Sequence, residues 1–270
     1  MAVVITSNII TGAVQLAVPL RNPRLMYESH YRTGTVTASG EASAEFTADN
    51  ATLDPATWNF WRADAMPASL EVELAQAAPA DYLLLAAHTL GTEQATVVLE
   101  HWDGGLWTEI HQVLPGNDRV LVVLFDEVTD TKFRVRLTGA TVPSIGVVQL
   151  GKALAMPVGV TRDHGPITLQ RRTRHETSVS GTGQFLGRSV LREGVATNIT
   201  FGPLAASFVR DEFQAFVDHA RAVGPFGWAW NADEWPAEVA YVWAGADVTP
   251  AHAGLPGDLN VAFDVEGLLD

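Results

Sequence analysis

The chain has 270 residues, 47% of them hydrophobic, a formal net charge of −14 and no cysteine. That size allows two domains or one large β domain, and the apolar fraction excludes wholesale disorder. The missing thiols exclude disulfide frameworks, thiolate metal sites and a cysteine nucleophile. The acidic total argues against nucleic-acid binding, which needs a basic face.

Residues 1–19 form an N-terminal arm or strand without a clear assignment. Residues 1–10 have no basic residue, and Thr6, Ser7 and Asn8 interrupt the apolar run. Neither a secretory signal nor membrane insertion is expected, since no apolar stretch nears the ~20 residues of a membrane span.

From 20 to 152 the chain reads as short strands separated by turns. Residues 69–74 (SLEVEL) alternate cleanly, placing Glu71 and Glu73 on one solvent face. Strand-like runs follow at 81–88, 95–102, 119–125, 132–137 and 145–150. Asp103-Gly104-Gly105 and Pro115-Gly116-Asn117-Asp118 are turn signals between them. No helix is apparent in this region, which predicts an antiparallel jelly-roll β-sandwich.

Residues 153–166 read as a linker, and 167–270 as a second, α+β domain with one main helix. Strands are expected at 167–174, 175–181, 184–188, 197–201 and 260–265. Between them, at 209–221, Phe213, Phe216, Val217 and Ala220 recur at helical spacing. Ser207 is the expected N-cap, and Gly224-Pro225 the stop. Phe226, Trp228 and Trp230 then alternate with small residues, as do Val239, Tyr241 and Trp243, so two aromatic strands can pair as a hairpin. We expect Phe213, Phe216, Trp228, Trp230, Tyr241 and Trp243 to be packing or assembly residues.

Only Lys132 and Lys152 are lysines; every other cation is arginine, which suits fixed bidentate pairs and is equally the mark of a GC-rich genome. Six arginines lie between Arg162 and Arg192, against Asp163, Glu176 and the adjacent Glu193. Arg171, Arg172, Arg174 and Arg188 could therefore serve an interface between unlike surfaces, or simply protect a solvated strand edge.

Two families are similar to parts of this sequence. Trp61 before SLEVEL, residues 82–88, VVLEHWDGGLW at 97–107, FRVRL at 133–137 and the run at 145–150 together resemble the discoidin-like (galactose-binding-like) jelly roll. Gly187-Arg188, residues 201–204, the helix, GPFGWAW and WPAEVAYVW resemble the distal-tail and hub proteins of long-tailed bacteriophages and gene transfer agents. That second likeness implies a split-barrel-like tail-ring domain and a structural part of a virion tail tip or baseplate. Its partners would be further copies in a trimeric or hexameric ring, with tube, tape-measure and hub proteins beside it.

The jelly-roll likeness suggests a host-glycan site from Trp58, Trp61, Trp107, Tyr31 and His88, with Arg62 or Asp64 bonding hydroxyls. Core packing of the same aromatics is the alternative. His88, His101 and His111 with Asp103 or Glu100 fit no metal-ligand spacing. The glycines at 181, 183 and 187 lack a βαβ context, and no G-x-S-x-G is present. No cofactor, metal or enzymatic activity is expected. A carbohydrate-binding module or adhesin acting alone, with a dimerisation domain, is the rival reading.

Overall fold

The computed structural model describes residues 3–10, 16–53, 55–161, 164–254 and 257–268. Arg162 and Asp163 of the basic stretch, and parts of the N-terminal arm, lie outside them.

Sixteen strands occur among the described residues. The first five are β1 (Val3–Ile5), β2 (Arg24–Met26), β3 (Thr35–Ala38), β4 (Trp61–Arg62) and β5 (Ala68–His88). There follow β6 (Thr96–Trp102), β7 (Trp107–Val113), β8 (Leu121–Thr138), β9 (Ser144–Gly151) and β10 (Leu154–Ala155). The last six are β11 (Arg171–Val179), β12 (Phe185–Ala205), β13 (Phe226–Ala229), β14 (Val239–Ala244), β15 (Ala251–His252) and β16 (Asp258–Leu268). The protein is mainly β, with a jelly-roll sandwich and one main helix.

The sandwich arises because β5 and β8 are long and bend together. Residues 68–73 of β5 pair with 132–137 of β8, and 70–73 also with β3, whereas 82–88 pair with β9 and, at 82–85, with 121–124 of β8. The register breaks between Glu73 and Ala78. One hydrogen-bonded sheet thus folds over into two layers, β3-β5-β8-β6-β7 and β4-β9-β5-β8-β1. Leu70, Val72, Leu83, Leu85, Val123 and Val135 fill the space between them. Sequence alternation placed two strands where one bent strand runs, because a bend keeps the same period on both sides.

The second sheet has the order β10-β2-β13-β14-β16-β12-β11, with β15 on β16. Strand β2 pairs with both β10 and β13. Residues 20–152 are therefore not one continuous unit: apart from β1, which joins β8 from upstream, the jelly roll is inserted between β2 and β10 of the second domain. Nor is 153–166 a free linker, since it contains β10 and the fully buried Met156. A three-residue strand is too short to show a period, so neither role could be read from the pattern.

Residues 206–222 are helical, with a π-helical turn at Val209–Phe213. Ala205, not Ser207, occupies the N-cap position, and Ser207 lies inside the first turn. The cap offers no side-chain acceptor; the Ala206 N–H donates to the Gly257 carbonyl at 2.9 Å instead. At the other end Gly224 takes φ +99°, and its N–H donates to the His219 carbonyl at 3.1 Å, a turn that favours glycine. Phe213 and Phe216 are fully buried, and Phe216 meets Phe226 edge-on at 4.8 Å.

The β13–β14 hairpin has a different partner on each face. Phe226 and Trp228 point toward the helix. Ala229, Val239 and Tyr241 point the other way, onto Tyr82, Leu84 and Val122 on the outer face of the jelly roll. The Tyr241 hydroxyl donates to the Pro55 carbonyl at 3.2 Å, and the Tyr82 hydroxyl to that of Glu28. The docking target of the hairpin is therefore the inserted domain of the same chain.

Candidate functional site

The residues considered for a sugar platform do not come together. Trp61 is fully buried, its indole N–H donating to the Gly40 carbonyl at 3.2 Å. His88 lies two strands away in the same row, through Ile145, and is also buried. Its Nδ1 accepts the Leu90 N–H at 3.3 Å, and burial pushes its imidazole down to about 4. Tyr31 is buried too, with its hydroxyl on the Leu70 carbonyl at 2.9 Å. These three serve the sandwich core. Trp58 is 74% exposed, and Arg62 is exposed on β4.

Trp107 sits on the other layer, in an ionic cluster that the sequence did not reveal. It meets Trp102 edge-on at 5.4 Å, and the Arg134 guanidinium lies 4.3 Å above its ring. Arg134 Nε donates to Glu100 Oε2 at 2.7 Å, and an Arg136 terminal nitrogen to Glu100 Oε1 at 2.9 Å. Burial alone would raise the Glu100 carboxyl, but the bonds from Arg136 and Arg134 outweigh it and hold it below its ordinary value. The cluster is internally satisfied. His101 pairs with Asp130 at 3.0 Å, apart from His88 and His111. Among the described residues no three His, Asp or Glu side chains are grouped to hold a metal ion.

A cavity of about 580 Å³ opens between the jelly roll and the helix. Asp81 and Glu127 line it from one side, Asp211 and Glu212 from the other, with Arg24 and Lys152 beneath. Both cations are engaged within the chain. Arg24 donates to the carbonyls of Val18, Pro19, Leu20 and Asn22, and Lys152 meets Glu127 at 2.8 Å. Burial pushes the Asp81 carboxyl up to about 6, although it accepts the Ala153 N–H at 2.8 Å.

Among the described residues, the β11–β12 hairpin projects beyond the rest of the sheet, uncovered on both faces past its base. All of β11 is exposed, and so is β12, Gly187 apart, until it reaches Gly194 and Val195. Nine residues of strand extend it by about 30 Å. Its tip is closed by the Ser180 N–H to the Gln184 carbonyl at 2.8 Å, with Gly183 at φ +84°. Strand periodicity and register give the ribbon two faces. Arg171 and Val195 share one, and Val195 belongs to the core beneath the helix. Farther out that face carries Thr173 and Glu193, then His175 with Val190, Thr177 with Arg188, and at the tip Val179 with Phe185, so exposed apolar side chains stand among polar ones. Phe185 is 65% exposed and Val190 55%. Arg172, Arg174 and Arg192 stand on the opposite face.

Of the residues considered for packing or assembly, Phe213, Phe216, Trp228 and Tyr241 are thus internal, and Trp230 and Trp243 are half-buried. Phe185 and Val190 were missed. The available signal was their place in a ribbon otherwise rich in Arg, Ser and Thr.

No protein-family model and no curated protein matches the chain. Parts of solved structures are similar to part of it. Chitosan-binding module 1 from a chitosanase/glucanase of Paenibacillus sp. IK-5 is 20% identical, over 46% of this chain and 99% of that one, with a TM-score of 0.41. Chitosan-binding module 2 of the same enzyme, in complex with chitotriose, is 17% identical over 46% and 99%, with a TM-score of 0.40. A Clostridium perfringens module in complex with GalNAc-β-1,3-galactose is 14% identical over 47% and 99%, also at 0.40.

Proposed function

We propose that this chain is a structural subunit without catalytic activity that assembles with copies of itself through the β11–β12 arm. The observation that carries the reading is the arm itself, whose Phe185, Val179 and Val190 stand exposed on one face and are covered by nothing among the described residues. An isolated two-stranded ribbon is marginal in water, and exposed apolar surface of this kind marks interaction sites. The arm carries five arginines against two glutamates in a chain of net charge −14. Arms repel one another and attract the acidic body of a neighbour, which favours a head-to-tail contact. Such contacts close into rings when the rotation permits. A ring with the jelly roll facing outward fits a distal-tail or baseplate component of a bacteriophage virion.

The test is the oligomeric state by sedimentation velocity. The wild-type chain should form a closed oligomer, and Phe185→Ser with Val190→Ser should yield folded monomers with an unchanged melting temperature. A wild-type chain that stays monomeric at high concentration overturns the reading.

Trp58 favours a second reading, that the jelly roll binds a glycan. Its exposed indole offers a flat face for a sugar ring, and Arg62 a donor for hydroxyls. Loss of glycan-array binding in Trp58→Ala would support this reading, whereas a wild-type chain that binds no glycan would remove it.

A further inference from the structure

We infer that Arg172, Arg174 and Arg192 form a carboxylate-binding site filled by an acidic side chain from a second copy of this chain. This rests on the self-association proposed above and names the polar half of that contact. The three arginines, with Gly194, Val195 and Glu266, line a cavity of about 190 Å³ at the base of the arm. Arg172 and Arg192 both reach Glu266, the latter at 3.3 Å. Arg174 stands directly across from Arg192 in the β11–β12 register, and its side chain makes no hydrogen bond or ion pair among the described residues. Like charges facing each other across a strand pair are destabilising, and one carboxylate cannot offset three guanidinium groups. The cluster is therefore short of an anion.

The geometry suits a carboxylate. Guanidinium groups present planar forks of donors that match its two oxygens, and Arg174 has its full set free. The bulge beyond Arg174 keeps these three arginines on the face opposite Phe185 and Val190. A neighbour that grips the arm would meet apolar side chains on one side and this cluster on the other. The chain supplies such groups in quantity, with 31 Asp and Glu against 17 Lys and Arg.

The test compares self-association of the whole chain by sedimentation velocity across a salt titration, for the wild type, Arg174→Gln and Glu266→Gln. Wild-type association should weaken as salt rises. Arg174→Gln should weaken it about fivefold at low salt and flatten the salt dependence. Glu266→Gln should strengthen it, because removing the internal carboxylate frees Arg172 and Arg192 for the neighbour. A purely structural role for the cluster predicts no such strengthening. Association that is salt-independent, unchanged by Arg174→Gln and no tighter in Glu266→Gln overturns the site while leaving assembly through the apolar face standing. A wild-type chain that never associates overturns both.

Discussion

Gly227 of β13 lies directly against Leu84 of β5, so that a Cβ at position 227 would overlap the Leu84 Cδ1 methyl. Here the second domain packs on the outer face of the jelly roll. Leu84 is fully buried, and Met26 crowds the same point, with its Cβ 3.1 Å from the added carbon. The glycine is there for proximity, not for an unusual φ. Gly227→Ala should therefore destabilise the chain by about 1–3 kcal/mol through overpacking. Urea unfolding should show a lower midpoint, and Leu84→Ala in the same chain should recover part of the loss. Equal stability of Gly227→Ala and wild type would show that the two domains can separate at little cost.

Trp228 faces away from that interface, beneath the helix. It is fully buried, meets Phe201 at 6.1 Å and His164 at 5.7 Å, and its indole N–H has no acceptor among the described residues. Its contribution is volume and ring contact, not a hydrogen bond. Trp228→Ala should cost about 3–5 kcal/mol. Trp228→Phe should cost much less, since it forfeits no bond and keeps an aromatic ring. Similar losses in both variants would mean that the N–H holds something the contacts do not show.

How much of this was legible in the sequence depends on the range over which each signal acts. SLEVEL, the helical stripe at Phe213 and Phe216, and the Gly224-Pro225 stop are local patterns, and they correspond to strand, helix and terminus in the structure. Strand β2 was not legible, because Arg24–Met26 has its meaning only through Trp228 and Leu154, some 200 and 130 residues away. Burial was ambiguous for the same reason. Trp58 and Trp61 look alike in a sequence, yet one lies in solvent and the other in the core. Val190 and Phe185 are residue types of core strands, yet among the described residues no layer covers them.

Glu100 holds Arg134 and Arg136 on the outer face of the sandwich, and its side chain is only 7% exposed. Removing it leaves two guanidinium groups facing each other. Glu100→Gln should destabilise the fold by about 2–3 kcal/mol, less than the full cost of breaking a buried pair because the Arg136 side chain keeps 33% of its exposure. The double change Glu100→Gln with Arg136→Gln should be less damaging than the sum of the two single changes, as interacting partners require. Additive losses, measured as denaturant midpoints, would show that the cluster does not act as a unit.

Asp81 and His88 give the stability opposing slopes with pH. Burial raises the Asp81 carboxyl from 3.8 to about 6, so the folded state holds its proton more tightly than the unfolded chain. Its stabilising contribution is full below pH 3.8 and is lost as pH rises through 6. Burial lowers His88 from 6.5 to about 4, so the unfolded chain binds its proton first. That contribution is full above pH 6.5 and is lost as pH falls toward 4. Each shift corresponds to about 3 kcal/mol at most, and in the wild type the two changes largely offset one another between pH 4 and 6. Asp81→Asn keeps an acceptor for the Ala153 N–H, so it should gain stability over wild type at pH 8 and none at pH 4. The His88→Gln minus wild-type difference should instead become more favourable as pH falls from 6.5 to 4. Urea midpoints across this range, compared at constant m-value, measure both differences. If the Asp81→Asn difference does not change with pH, Asp81 titrates alike in the folded and unfolded chain.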